Sequence, residues 1–457
     1  MNVTFIKNIF SSQKVVVRIA PSPTGLLHLG TARTALFNYL YAKKHNGVFV
    51  LRIEDTDKER STLEYEKDIL EGLSWLGITH DTFFKQSERM HVYTDHLKRL
   101  IDSGKAYVSK EESTQNPGMF IEVVRLKNKG EVVTFTDEIR GEITFDTTSL
   151  GDFVIARSIT DPLYHLAVVI DDHEMGITHV IRGEDHISNT PRQILIQRAF
   201  GMSEPKYAHI PLILASDRSK MSKRKGSTSI TEYRENGYIP EAMLNYMAFL
   251  GWNPGTEKEV YTLKELIHDF SLDQVQKGGA VFDILKLNWF NAEHSKKILD
   301  SKIQLEVLEK IFPKNKNELA VMTEEVLRKM YDVVIERTGT KDIPTYRSIP
   351  ESEFNYFFAD PQIETKISWK EEGSETTKKN LTVAIEKLRV LSEYEFTKEA
   401  VKEALWSYAE EVGKGSLLWP IRVALSGKEK SPDPFTLAEL LGKDETLKRI
   451  EHAQKNL

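Results

Sequence analysis

At 457 residues, 40% hydrophobic and 28% charged, the chain is too long for one domain and has the composition of roughly three folded ones. Lys and Arg number 62 against 68 Asp and Glu, a net charge of −6, which excludes a strongly basic nucleic-acid coat but not an RNA partner that answers to local potential. Cysteine is absent, so disulfides, thiol catalysis, iron–sulfur clusters and thiolate zinc sites are excluded together.

Residues 1–13 carry one Lys and no compact apolar core ending in a cleavage site, and they read as an N-terminal extension. No apolar run reaches the ~20 residues that cross a bilayer; Leu166 to Ile170 stops at Asp171 and Asp172. A cytoplasmic, multi-domain protein without a membrane segment is expected.

Lys14 to Ala20 is a β-branched run ended by Pro21 and Pro23. Ala32, Leu36, Tyr39 and Leu40 then recur at helical spacing up to Gly47. Val48 to Ile53 reads as a second buried strand. Leu63, Leu70, Leu73 and Leu76 mark a second helix ending at Gly77. Strand, helix, strand, helix predicts a parallel sheet with right-handed crossovers. Between Gly104 and Tyr164 the pattern becomes short strands (Met119 to Leu126, Glu131 to Phe135, Gly141 to Phe145, Phe153 to Arg157) separated by Gly, Asn and Asp turns. This predicts one small, mostly antiparallel insertion. Thr178 to Ile181 as strand, Thr190 to Phe200 as helix and Ala208 to Leu214 as strand resume the first pattern. From Ile239 strand patterns vanish, and helix faces appear at Leu327, Met330, Tyr331 and Val334, at Leu381, Ile385 and Leu388, and at Val401, Leu405, Tyr408 and Val412. A weak break is expected between Pro350 and Gly373.

Two constellations carry chemistry. Arg18-Ile-Ala-Pro21-Ser22-Pro23-Thr24-Gly25-Leu-Leu-His28-Leu29-Gly30-Thr31 sits where a buried strand hands over to a helix. Such crevices collect ligands, and free helix N-terminal amides attract phosphate. Gly25 and Gly30 permit a tight turn and close approach of backbone to ligand. His28 has a hydrogen bond to offer as charge builds on a phosphate oxygen. The second, Asp217 to Gly226, holds five cations against one anion. Its ordinary explanation is a solvated loop; its functional one is a mobile clamp in which Lys223 closes on a triphosphate.

Together these strings match a known pattern. His28-Leu-Gly30-Thr31 resembles the His-Ile-Gly-His motif of class I aminoacyl-tRNA synthetases, and Lys220-Met-Ser-Lys223-Arg224 resembles their Lys-Met-Ser-Lys-Ser loop. Arg18 to Thr31, Arg52-Ile-Glu54-Asp55-Thr56-Asp57, Tyr164-His-Leu-Ala, Asp171-Asp172-His173 and Ile181-Arg182-Gly183-Glu184-Asp185-His186 follow in the order of the glutamyl-tRNA synthetase family. The resemblance covers the chain from about Val15.

The resemblance implies an α/β fold: a Rossmann-type parallel-sheet catalytic domain (14–103 and 164–238, the second half with the lysine loop) split by an α+β insertion for the tRNA acceptor end (104–163). A helical stem-contact region (239–320) and an all-α anticodon-binding region (321–457) of the bacterial type would follow. It implies activation of L-glutamate with ATP and Mg²⁺, dependent on tRNA, then transfer to the 3′-terminal adenosine of tRNA(Glu) by a monomer. Arg18 would pair the side-chain carboxylate of glutamate, Arg182 its α-carboxylate and Glu54 its ammonium, with Ala20, Ser22 and Tyr164 completing the pocket. His28, Gly30, Thr31, Lys220 and Lys223 would hold ATP, His28 and Lys223 acting in catalysis. Without the flanking strings, Arg18 reads as a strand-end arginine and Glu54 as a surface ion-pair partner.

Three departures stand out: Thr31 replaces the second histidine of the first motif, the zinc site of some members is impossible without cysteine, and Val168 stands where many members carry Asn. No protein-bound metal is expected. The rivals are a shortened relative that glutamylates a modified tRNA base, glutaminyl-tRNA synthetase, a non-discriminating enzyme that also charges tRNA(Gln), and a catalytically inactive tRNA-binding paralogue. Arg337 stands near where discriminating members place an anticodon-reading arginine; its ordinary explanation is a helix-terminal arginine favoured by the dipole.

Overall fold

Val16, Val17 and Ile19 need a surface covered on both sides, and the strand they form, β1 (Val16–Ile19), is buried along its whole length. The computed structural model describes residues 14–457 apart from 58, 113–117, 222–228, 296, 298–300 and 339–350. The expected extension 1–13 and Lys223 therefore lie outside the described residues.

The chain leaves β1 through α1 (Leu29–Lys44) and returns as β2 (Val48–Ile53), parallel to β1 with Val16 opposite Val48. Gly47 makes the return possible, since a Cβ there would lie 2.4 Å from the Val15 carbonyl. Helix α2 (Leu63–Trp75) then leads to β3 (Thr82–Lys85), parallel to β2. The sequence reading does not foresee β3, because TFFK is short and only half buried. The second half of the sheet is β10 (His179–Gly183) and β11 (Lys206–Ile210), parallel and linked by α5 (Thr190–Phe200). Beside β1 the two halves meet: Thr178 N–H donates to the Val16 carbonyl (2.9 Å), and Val16 N–H donates to Thr178 Oγ1 (2.9 Å). The carboxyl ends of β1 and β10 thus flank the point where strand order reverses, the place where such sheets open a crevice.

The insertion departs from the expected single unit. Strands β4 (Ala106–Glu112, not foreseen), β5 (Phe120–Leu126), β8 (Phe153–Ser158) and β9 (Asp161–Pro162) form one antiparallel sheet. The hairpin β6 (Val132–Asp137) and β7 (Gly141–Asp146) instead joins the catalytic sheet, through a parallel bridge between Asp137 and Tyr207. Helix α3 (Met90–Asp102) precedes this insertion and α4 (Tyr164–Glu174) follows it. The expected strand Ala208 to Leu214 is cut at Pro211, leaving β12 (Ile213–Leu214) as a separate piece. Its partner is β13 (Ala280–Val281), a two-residue strand beyond Ile239 and too short to show periodicity.

Two compact units are present, one ending at His294 and one spanning Ser295–Leu457; their division falls inside the stretch 239–320. In the second, α6 (Glu324–Thr338), α7 (Ser374–Arg389), α8 (Lys398–Val412), α9 (Lys414–Ser426) and α10 (Pro434–Lys455) enclose a core that includes Tyr331, Val334, Leu381, Leu388, Leu405 and Ile450. The expected break between Pro350 and Gly373 contributes Phe354 and Tyr356 to that same core. Arg449 secures it, donating from Nη1 to the Tyr356 and Leu425 carbonyls and from Nη2 to that of Ala359. Among the described residues no helix is long and apolar enough to cross a membrane.

Candidate active site

A cavity of about 650 Å³ opens at the carboxyl ends of β1 and β10. At one end lie Arg18, Glu54 and Arg182, all buried. Arg18 donates from Nε to Asp172 Oδ1 (3.2 Å), and Arg52 donates from Nη1 to the same oxygen (2.7 Å). Arg52 Nη2 reaches Glu54 Oε1 at 3.0 Å. Arg52 is fully buried and ties both cavity-lining groups to one internal charge cluster. Burial alone would push the Asp172 carboxyl up, but Arg18 and Arg52 outweigh it and hold it below the usual range. At Glu54 burial prevails over the attraction of Arg52, and its carboxyl is raised. An arriving cation would lower it again.

Arg182 is held on one edge. Its Nε donates to His209 Nε2 (3.1 Å) and its Nη2 to Thr190 Oγ1 (2.9 Å), whereas its buried Nη1 has no partner among the described residues. Tyr164, at the start of α4, lies with its hydroxyl 3.3 Å from His186 Nδ1. Burial, reinforced by Arg182, holds His186 down to about 4, so its ring is neutral near pH 7.

The other end is the N-terminus of α1. His28 is its N-cap: Nδ1 accepts from Thr31 N–H (3.2 Å), which places the ring hydrogen on Nε2, 2.9 Å from the Thr31 hydroxyl. The ring lies over Gly30, where a Cβ would stand 3.1 Å from Nδ1. Gly25 has no atom within 4 Å of the position a Cβ would take. Neither glycine has positive φ; the chain bends over residues 23–25, where Thr24 N–H donates to the Ser22 carbonyl (2.9 Å), and Gly30 lets the His28 ring approach its backbone closely. Lys220 pairs with Asp185 at 3.0 Å, both largely exposed.

Arg18, Ala20, Ser22, Glu54, Tyr164 and Arg182 line this cavity together with His28, Gly30, Thr31 and Lys220. Lys223 lies outside the described residues. Val168 is buried and does not line the cavity. Sequence reasoning missed Arg33, which lines the wall and donates to the Leu250 and Pro211 carbonyls; burial lowers it to about 10. It also missed Asp137 and His209 behind Arg182. No motif marks these residues, and their partners are remote in sequence. In the second unit Arg337 occupies the last turn of α6, with Nη2 donating to the Lys430 carbonyl (3.0 Å) and Glu353 Oε1 (3.3 Å). Among the described residues no group of three His, Asp or Glu side chains is arranged to hold a metal.

A protein of Carboxydothermus hydrogenoformans named glutamate–tRNA ligase is 40% identical, covering 95% of this chain and 99% of that protein. The chain belongs to the glutamate–tRNA ligase family. Another glutamate–tRNA ligase, from Thermodesulfovibrio yellowstonii, is 39% identical over 95% of this chain and 98% of its own length. Residues 14–119 and 114–289 match the family of class I tRNA synthetases (E and Q), catalytic domain, and residues 343–454 match the anticodon binding domain. Among solved structures, a glutamate tRNA ligase from Elizabethkingia meningosepticum in complex with its amino acid superposes with a TM-score of 0.83 at 31% identity, covering 97% of this chain and all of that one. The glutamate–tRNA synthetase from Elizabethkingia anophelis gives 0.81 at 30% identity.

Proposed function

We propose that the protein is a glutamate–tRNA ligase. It joins the α-carboxylate of L-glutamate to the α-phosphorus of ATP, releasing pyrophosphate, and passes the glutamyl group to a ribose hydroxyl of the 3′-terminal adenosine of tRNA(Glu), releasing AMP. The observation that carries this reading is the convergence of two buried guanidinium groups and one buried carboxyl on one end of the cavity. Glutamate brings two carboxylates and one ammonium, the complementary set. Arg18 pairs the side-chain carboxylate, the open Nη1 of Arg182 takes the α-carboxylate, and Glu54 takes the ammonium. Ala20, Ser22 and Tyr164 complete the pocket.

ATP lies across the N-terminus of α1, over Gly30 and beside His28, Thr31 and Lys220. The displacement at phosphorus needs positioning and charge stabilisation, not a protein nucleophile. His28, with its Nε2 hydrogen, and Lys223 serve the developing negative charge. Mg²⁺, carried on the phosphates, would neutralise part of it. Residues 14–103 and 164–238, joined by the hairpin β6–β7, form the catalytic fold, the rest of 104–163 receives the acceptor end, 239–320 contact the stem and 321–457 read the anticodon. The enzyme works as a cytoplasmic monomer.

ATP–pyrophosphate exchange with glutamate, with and without tRNA, tests the activity; exchange driven by glutamine in preference to glutamate would refute it. Selection of tRNA(Glu) over tRNA(Gln) is assigned to Arg337, which would hydrogen-bond the pyrimidine edge of the third anticodon base. Its contacts to Lys430 and Glu353 fit a packing role equally well. Efficient glutamylation of tRNA(Gln) by the unmutated protein would reduce Arg337 to that role.

A further inference from the structure

Behind the cavity wall, one chain of hydrogen bonds runs from the inserted hairpin to Arg182. His209 on β11 is the register partner of Arg182 on β10 and is fully buried. Its Nδ1 lies 2.6 Å from Asp137 Oδ2, and its backbone N–H donates to the same oxygen at 3.0 Å. Asp137 is equally buried, at the end of β6, and its Oδ1 accepts from the backbone N–H groups of Ile139 (3.0 Å) and Arg140 (2.9 Å). A carboxylate so fixed, facing Nδ1, places the ring hydrogen there and leaves the Nε2 lone pair open. That lone pair accepts from Arg182 Nε at 3.1 Å. The opposite tautomer would set two N–H donors against each other at this contact.

The surroundings keep the ring neutral. Burial lowers its proton affinity first, and Arg182 and Arg140 oppose a second positive charge, while Asp137 pulls the other way. Thr190 Oγ1, on α5, lies 3.2 Å from Nε2, and the Tyr207 ring stacks nearly parallel to the imidazole at 6.1 Å. Held by His209 at Nε and by Thr190 at Nη2, the guanidinium of Arg182 has one rotational setting, with Nη1 left for a ligand.

We propose that Asp137 and His209 are positioning residues for the glutamate site, acting through Arg182: Asp137 sets the tautomer of His209, and His209 orients the guanidinium that receives the α-carboxylate. This rests on the proposed glutamate activation and adds to it residues that touch no substrate. It also gives the parallel bridge between β6 and β11 a purpose, since the hairpin delivers the carboxylate to the back of the pocket.

The test is ATP–pyrophosphate exchange in the presence of tRNA, with KM for glutamate and for ATP measured separately. Asp137→Asn presents an amide N–H toward the ring and favours the wrong tautomer; it should raise KM for glutamate about tenfold or more and leave KM for ATP within about twofold. His209→Asn, which keeps only the group facing Asp137, should do the same. His209→Gln, which keeps an acceptor near the position of Nε2, should stay within about threefold of the unmutated protein. A merely structural role would not separate Asn from Gln at one position. Nitrogen-15 histidine spectra of the unmutated protein near pH 7 supply a readout that needs no variant: His209 should carry its hydrogen on Nδ1. Equal glutamate KM in the Asn and Gln variants, or hydrogen on Nε2, would overturn the proposal while leaving the activity intact. No glutamate-dependent exchange by the unmutated protein would overturn the functional reading, and this proposal with it.

Discussion

The two ends of the cavity are built on different principles. At the Arg18–Arg182 end, buried charges are held by partners far away in sequence: Arg18 by Asp172, 154 residues on, and Arg182 by His209, 27 residues on. At the His28–Lys220 end the contacts are close to the surface: His28 with Thr31, three residues on, and Lys220 with Asp185, an exposed pair. A buried ionic cluster is costly to assemble and costly to disturb, because a lone charge left in the interior is poorly compensated. An exposed pair is cheap to lose. The Arg18–Arg182 end, proposed to take glutamate, is thus the more firmly fixed, and the His28–Lys220 end, proposed to take ATP, is held by weaker contacts.

Substitutions can break this contrast, and the largest effect is expected at the fixed end. Arg18→Ala removes a cation from the proposed glutamate pocket and should lower kcat/KM for glutamate by roughly 10³-fold, with KM for ATP changed by no more than about twofold. Unchanged glutamate saturation would place the pocket elsewhere. Lys223→Ala, which removes the proposed phosphate clamp, should lower the activation rate by roughly 10²-fold while glutamate affinity stays within about twofold, the pattern of a contact made only in the transition state. Pre-steady-state formation of glutamyl-adenylate reads this directly.

The buried histidines sharpen the comparison through pH. His165, His179 and His186 are held down to about 4 in the folded protein, chiefly by burial, against 6.5 unperturbed. Between these values the unfolded chain binds protons that the folded one does not, so stability rises with pH across that window and falls on acidification. Thermal melts at steps between pH 7 and pH 4.5 should show a progressive drop in Tm, reduced when His165 and His179 are replaced by Gln. The smallest effect belongs to Lys220. Its exposed pair with Asp185 is worth about 0–1 kcal/mol, so Lys220→Ala should barely move Tm, and KM for ATP should rise only about threefold. A large loss of stability would show that this end, too, is prebuilt.

How far the sequence reaches follows from how local each signal is. The short, mostly apolar run of Val48 to Ile53 and the helix pattern of Thr190 to Phe200 are written in neighbouring residues, and both elements appear with those bounds. β3 and β13 escaped because four and two residues hold too little period to read. The two arms of the hairpin Val132–Asp146 were legible as short strands, but their allegiance was not: the hairpin's seat on the catalytic sheet depends on the bridge between Asp137 and Tyr207, 70 positions apart in sequence. Arg18, Glu54 and Arg182 were legible as site candidates because they stand in family strings, whereas Arg52 in the same string reads as one more charge until its burial is known.

By itself the sequence determined the α/β class, the helical second unit, the absence of thiol chemistry and the family, since each of these is carried by residue type, local period or an ordered set of motifs. Only the tertiary structure decided that Asp172 and Arg52 join Arg18 to Glu54, that His28 caps the helix it precedes, and that an insertion-borne carboxylate stands behind Arg182. The physical reason is that buried charges and hydrogen bonds are satisfied through space. A carboxylate in the interior must find its cation wherever the folded chain brings one, and sequence spacing holds no record of that meeting.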